Sequence, residues 1–298
     1  MELDLSSINE LLELAKSGDR RSLSRLITEI SESDEIPQFP PKPIWTLGVT
    51  GPPGVGKSTL IGKMMKYWVS SGESVAVLAL DPSSPISGGS FLADRVRMDG
   101  DYLGKKTFIR SIPSGNIPGG ISPRIRPMCQ ALSACGWTRI VIETVGTGQS
   151  EFRIASLVDR LLLVDGPDRG DIIQAEKAGI LELADVIAVN KSDLPGASSS
   201  AQNIRISLSL TGNDNREVIL VSAIKDEGVE GLISAIEACQ PKTNTMELEM
   251  RERLLSEWDS ILVLNPEIDE IIAKLCDGSI TMGKAIQILG KSIDNRGV

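Results

Sequence analysis

Eight residues, Gly51-Pro52-Pro53-Gly54-Val55-Gly56-Lys57-Ser58, close a glycine-rich run on one lysine and one hydroxyl, and Thr59 follows. The pattern is GxxxxGK[ST], set between a short apolar run at 45–50 and a helix-like stretch from Thr59 to Tyr67. Such a run suits phosphate binding. Glycine lets successive backbone N–H groups converge on a β-phosphate, and the start of the following helix adds partial positive charge. In that chemistry Lys57 reaches the β- and γ-phosphates and the Ser58 hydroxyl ligates Mg2+.

Downstream, Asn190-Lys191-Ser192-Asp193 has the form NKxD at the end of a later apolar run, and Ser222-Ala223-Ile224 follows the next one. An aspartate can accept hydrogen bonds from guanine N1–H and the exocyclic amine, whereas adenine offers a mismatched edge. A site built on such bonds rejects the wrong base by leaving its own groups unpaired. Lys191 would lay its stem across the base, Asn190 would tie this loop to the phosphate loop, and the Ala223 amide would donate to guanine O6. The two motifs together predict a protein that binds GTP and GDP.

Three acids could complete a Mg2+ site: Asp81 in LALDPSSP, Asp94 in FLADRVRM and Glu143 in IVIETVGTGQSE. Mg2+ prefers oxygen ligands, shared with water and phosphate, and carboxylates at neighbouring strand ends suit it. Each acid could equally cap a turn or a helix. Gly146, Gly148 and Gln149 follow Glu143. A Gly146 N–H bonded to the γ-phosphate would let hydrolysis release that loop. Arg95 and Arg97 beside Asp94 could offset transition-state charge, or form a solvated pair. Lys57, Asp94, Glu143 and Gln149 are the catalytic candidates.

These residues need a scaffold that brings distant segments to one edge. From residue 44 the chain alternates apolar runs with helix-like stretches, the runs falling at 45–50, 74–81, 107–112, 140–143, 160–164, 186–190 and 218–222. Several are unbroken rather than alternating, as parallel strands covered on both faces are. The pattern predicts an α/β fold with a doubly wound, mostly parallel sheet, whose ligands sit at the carboxyl ends of the strands. Nearly every motif above falls at such an end. Residues 1–43 read as two amphipathic helices broken near Ser17-Gly18-Asp19, then a proline-rich linker. Residues 44–240 read as the nucleotide domain and 241–298 as a helical arm; the serine-rich piece at 197–201 reads as a loop.

Composition sets limits. The 298 residues are 41% hydrophobic and 24% charged, enough for a sizeable core, and only 3% aromatic, so that core is aliphatic. A net charge of −9 argues against a nucleic-acid partner, which needs a basic face. Histidine is absent and the four cysteines form no CxxC pair, so they read as small apolar residues in a reducing cytosol. No stretch approaches the ~20 apolar residues of a membrane span, and the N-terminus does not read as a signal peptide. The expected location is cytoplasmic.

The sequence resembles the MeaB/ArgK-type GTPases, a family that includes the human methylmalonic aciduria type A protein. The matching pieces are GVTGPPGVGKST, VAVLALDPSSP with ISGGSFLADRVRM, IETVGTGQSE, GILELADVIAVNKSD and VSAIKDEGVEGL, with further likeness in both helical ends. The resemblance implies a GTPase chaperone of an adenosylcobalamin-dependent acyl-CoA mutase, or of its cobalamin-binding subunit. It also implies a homodimer with the C-terminal arm at its interface. It assigns Lys57 and Ser58 to phosphate and Mg2+, and Asp81, Asp94 and Glu143 to the Mg2+ region. Residues 165–179 look like the mobile segment that senses the mutase. The chain reads Asp94-Arg95-Val96-Arg97-Met98 where many relatives read DKTRM, which removes a threonine ligand and makes Asp94 the sensor.

Two other functions share parts of this pattern. A nickel metallochaperone GTPase would need histidines or paired cysteines, and a transport-system kinase would need a phosphoacceptor pocket; nothing in the sequence singles out either. With no histidine to act as base and Gln149 the only local candidate to orient water, intrinsic GTP hydrolysis should be slow. A single-turnover assay of the isolated protein tests this, and a rate typical of a partner-stimulated GTPase would refute it.

Overall fold

The computed structural model describes residues 5–32, 44–81, 104–113, 122, 124–144, 153–167, 178–210, 216–240, 251, 254–255, 258, 262, 265 and 267–294. All seven expected strands form: β1 (Thr46–Thr50), β2 (Val75–Asp81), β3 (Thr107–Pro113), β4 (Arg139–Glu143), β5 (Arg160–Asp165), β6 (Val186–Val189) and β7 (Val218–Leu220). They make one sheet in the order β3-β2-β4-β1-β5-β6-β7, and every pairing is parallel. β1 lies between β4 and β5, where the winding reverses. That reversal opens a crevice at the carboxyl edge, and the phosphate motif begins there.

Strand alternation divides the core between the two faces of the sheet. Val75 and Val77 of β2, Val141 of β4, and Leu162 and Val164 of β5 pack on one face with α3 (Lys57–Ser70) and α7 (Val229–Ala238). Ala76, Leu78, Ile140, Ile142, Leu161 and Leu163 pack on the other. There they meet α1 (Leu5–Lys16), α2 (Arg20–Glu32), α4 (Ile125–Ala134), α5 (Ala178–Leu183) and α6 (Ala197–Leu210). The N-terminal helices therefore share a hydrophobic core with the sheet: Leu23, Leu26, Ile27 and Ile30 of α2 are buried in the same cluster as Ile112 and Met128.

The stretch at 197–201 is not a loop. It opens α6, because Ala197, Ala201, Ile204 and Leu208 fall on one buried stripe at helical spacing. Its serines occupy the first turn, where serine is well tolerated. Toward the C-terminus, α8 (Ile268–Cys276) and α9 (Met282–Asp294) pack on each other. At the amino edge of the sheet, Trp45 meets Trp68 edge-on at 5.5 Å and lies under the guanidinium groups of Arg139 and Arg160.

Cys129 is fully enclosed, and burial pushes its thiol up to about 12; Cys135 is pushed to about 11 for the same reason. Both behave as apolar packing residues rather than as nucleophiles. Because α2 belongs to the sheet's own core, Leu26→Ala should cost about 2–5 kcal/mol and lower the stability of the whole α/β unit. Urea unfolding followed by far-UV circular dichroism and by tryptophan fluorescence measures it. Coincident transitions shifted together are expected, and an early separate loss of helix would contradict the shared core.

Candidate nucleotide site

The phosphate loop leaves β1 at Thr50 and turns over the end of the sheet. Gly51 has φ 138°, and a Cβ there would lie 1.9 Å from the Val164 carbonyl oxygen on β5. Gly56 has φ 93°, and its Cβ would lie 2.5 Å from Asn190 Nδ2. Glycine is required at both, for backbone shape and for close approach. Helix α3 starts at Lys57, two residues earlier than the sequence suggested, so Lys57, Ser58 and Thr59 form its first turn. Lys57 is buried, and its ammonium donates to the carbonyls of Gly51 at 2.7 Å and Pro52 at 3.0 Å. The lysine is thus held in the mouth of its own loop.

Glu143 ends β4 beside β1 and is buried. The Ser58 hydroxyl donates to Glu143 Oε1 at 2.7 Å, which brings two expected metal ligands from distant segments into contact. Next to them the Thr144 hydroxyl bonds the Thr50 hydroxyl at 2.9 Å, and Thr144 N–H bonds the Val49 carbonyl at 3.0 Å. These threonines fix the two strand ends on which Ser58 and Glu143 depend. Sequence reasoning missed them, although their positions next to Gly51 and Glu143 were a usable signal. Asp81 is the last residue of β2, and Ala79, two residues before it, pairs with Glu143. Asp94, Gly146 and Gln149 lie outside the described residues. Among the described residues no group of three His, Cys, Asp or Glu gathers to hold a metal. Among the described side chains, Ser58 and Glu143 would offer an ion here two protein oxygens, with further ligands from nucleotide and solvent.

The second half of the site is built on Asn190. Its backbone N–H bonds the Asp165 carbonyl at 2.8 Å, its Nδ2 donates to the Val55 carbonyl at 2.8 Å, and its Oδ1 accepts from Ala223 N–H at 3.1 Å. The Ala223 amide expected at guanine O6 is therefore engaged by Asn190. Lys191 takes a left-handed backbone, φ 60°, and its ammonium reaches the Gly54 carbonyl at 2.7 Å, so its stem spans from the base loop to the phosphate loop. Pro53 and Val55 lie on that same loop, and Val55 is buried.

Ser222 Oγ donates to Asp193 Oδ1 at 2.6 Å. That bond, reinforced by the charges of Lys225 and Lys191, holds the Asp193 carboxyl below its ordinary range. Asp193 is then ionised, an acceptor on both oxygens, at any pH near neutral. Ile224 follows on the same loop and is 77% exposed. Asp165, read from sequence as the start of a mobile segment, is the buried last residue of β5; residues 168–177 lie outside the described residues.

The profile of the family described as methylmalonyl-CoA mutase-associated GTPase MeaB matches residues 44–275. The chain belongs to this family. A putative GTPase of Pyrococcus abyssi is 34% identical over 95% of this chain and 90% of its own length. The mouse mitochondrial methylmalonic aciduria type A homologue is 32% identical over 86% of this chain and 67% of its own. A crystal structure described as a LAO/AO transport system kinase superposes with a TM-score of 0.57 at 22% identity, covering 98% of this chain and 99% of that one. The Helicobacter pylori HypB structure with nickel gives 0.50 at 13% identity, over 78% of this chain and 98% of that one. The last two likenesses speak for the fold alone.

As a MeaB-family GTPase, the protein binds guanine nucleotide and hydrolyses GTP. No helix among the described residues is long and apolar enough to cross a membrane. The two halves of the site can be tested apart. Lys57→Ala should abolish tight GTP binding with the fold intact, because the loop loses its only side-chain cation; retained micromolar affinity by calorimetry would sink the phosphate-loop assignment. Asp193→Asn should shift preference away from GTP by about tenfold or more, since a carboxylate that accepts on both oxygens becomes an amide with a mismatched donor. An unchanged GTP-to-ATP ratio would count against the guanine assignment.

Proposed function

We propose that this GTPase is a nucleotide-gated chaperone that controls cofactor loading and protection of an adenosylcobalamin-dependent acyl-CoA mutase. The observation that carries the reading is membership of a family described by its association with methylmalonyl-CoA mutase. The mouse methylmalonic aciduria type A homologue, matched over 86% of this chain, supports it. The coupling of the two half-sites through Asn190 fits such a switch, because one ligand would load both halves and could fix the relation between them.

In this reading GTP lies with its phosphates over Gly51, Pro53, Gly54, Val55, Gly56, Lys57, Ser58 and Thr59. Lys57 leaves the Gly51 and Pro52 carbonyls for the phosphate oxygens. The base sits against Asn190, Lys191, Asp193, Ser222, Ala223 and Ile224. Bound Mg2+ would neutralise phosphate charge, and the all-oxygen pair of Ser58 and Glu143 suits so hard a cation. Asp81 and Asp94 complete the expected metal region, Gly146 the γ-phosphate sensor, and Gln149 the water-orienting position.

Segments 1–43, 44–240 and 241–298 serve in this proposal as helical hairpin and linker, GTPase domain and dimerisation arm. The arm exposes apolar side chains at Trp258, Ile272, Met282 and Ile286. A second copy of the chain covering them would make the expected homodimer.

The deciding experiment is GTP hydrolysis by the purified protein, alone and with a purified adenosylcobalamin-dependent acyl-CoA mutase. Slow turnover alone and marked acceleration by the mutase are expected. Hydrolysis that no such mutase changes would leave a GTPase and remove the chaperone role.

A further inference from the structure

The loop that presents Ala223, Ile224 and Lys225 is a small closed hairpin. Ser222 N–H bonds the Glu227 carbonyl at 2.9 Å, and Glu227 N–H bonds the Ser222 carbonyl at 3.1 Å. Two left-handed residues shape it and its exit into α7, Asp226 with φ 63° and Gly228 with φ 73°. At Gly228 a Cβ would lie 2.3 Å from the Leu220 carbonyl oxygen, so no side chain is possible there. Asp226 does carry one, and aspartate is among the few residues that accept this backbone. The carboxylate is directed to Lys63 on α3, with Asp226 Oδ2 3.3 Å from Lys63 Nζ.

The loop is therefore held from both flanks. On one side Ser222 Oγ and Ala223 N–H bond the side chains of Asp193 and Asn190. On the other, Asp226 is held by the helix whose first turn is Lys57-Ser58-Thr59. Farther along, Trp68 Nε1 donates to Glu237 Oε1 at 3.0 Å, so α3 and α7 are joined at their distal ends. One side-chain link thus holds the phosphate helix against the base loop and another holds it against the helix that follows.

We propose that Asp226 and Lys63 are positioning residues for guanine selection: their ion pair sets the distance between the phosphate helix and the loop that orients Asp193. The inference rests on the guanine reading of Asp193, and it extends that reading to two residues outside any nucleotide motif. Neither touches the ligand; both act through the Ser222 hydroxyl. The pair is partly exposed, 29% for the Lys63 side chain and 51% for Asp226, so its effect is modest and sensitive to salt.

The test uses the full-length protein and the release of fluorescent N-methylanthraniloyl GDP, with GDP and IDP as competitors. IDP lacks the exocyclic amine and so reports on the Asp193 contact. Asp226→Asn keeps the left-handed preference and removes the charge; Lys63→Met keeps the stem. Each should speed release by about two- to fivefold and narrow the GDP-over-IDP preference, with the double variant no worse than either single one. Raising salt from about 0.05 to about 0.5 M should produce the same change in the unmodified protein and little in the variants. Unchanged release, additive effects, or faster release with an unchanged GDP-to-IDP preference would overturn the proposal. An unmodified protein with no preference for GDP over IDP would instead remove the guanine reading itself, and that result is seen before any variant is made.

Discussion

The approach of the Asn190 side chain to Gly56 is the contact on which both halves of the site depend. Glycine at 56 leaves a gap that the amide nitrogen fills, and a single added carbon would stand 2.5 Å from it. From there the amide donates to the phosphate loop through Val55 and accepts from the base loop through Ala223, while its backbone is tied to β5. One uncharged residue thus ties together three segments that are remote in sequence. A charged residue could not do this cheaply in so enclosed a place, since it would need a partner to offset its lost hydration. An amide has both a donor and an acceptor, and the two loops satisfy them without a counter-charge.

The sheet makes that contact possible. Because all seven strands run parallel, every strand delivers its carboxyl end to the same edge, and loops far apart in sequence become neighbours. The aliphatic faces lock strand order by burial, and the polar threonines at the ends of β1 and β4 lock the last residue of each. Hydrophobic packing sets the scaffold to within a residue or so. The hydrogen bonds at the edge then fix the residues that carry the motifs. Lys57 illustrates the balance: its buried ammonium is bonded to two loop carbonyls, neutral acceptors that offset part of its lost hydration.

Much of this was legible in the sequence because it is local. The seven strands announce themselves as short buried apolar runs, and the phosphate and NKxD motifs are contiguous. What was not legible is pairwise and distant. Nothing near Ser222 says that its hydroxyl bonds Asp193, nor does anything near Lys63 say that it faces Asp226. The serines of α6 misled for a related reason: turn-like residues at a helix start outweigh, in a short window, a buried stripe that only shows over three turns. The N-terminal helices were read correctly as helices, yet their place in the sheet's own core depends on contacts with α4 and the strands, which no local pattern encodes.

A protein with a net charge of −9 that holds a polyanion poses an electrostatic question, and the site answers it locally. Screening limits the reach of surface carboxylates to about 8 Å at physiological salt, so distant acids contribute little at the loop. Within the loop, the Lys57 ammonium is buried, where each charge counts for more. The nearest acids are not left to oppose the ligand. Glu143 accepts from the Ser58 hydroxyl, and Asp193, its pKa lowered by the Ser222 hydroxyl, lies on the NKxD loop rather than on the phosphate loop. In the proposed reading, the same negative sign that would repel a nucleotide at the phosphate loop becomes, at the guanine end, the group that selects it.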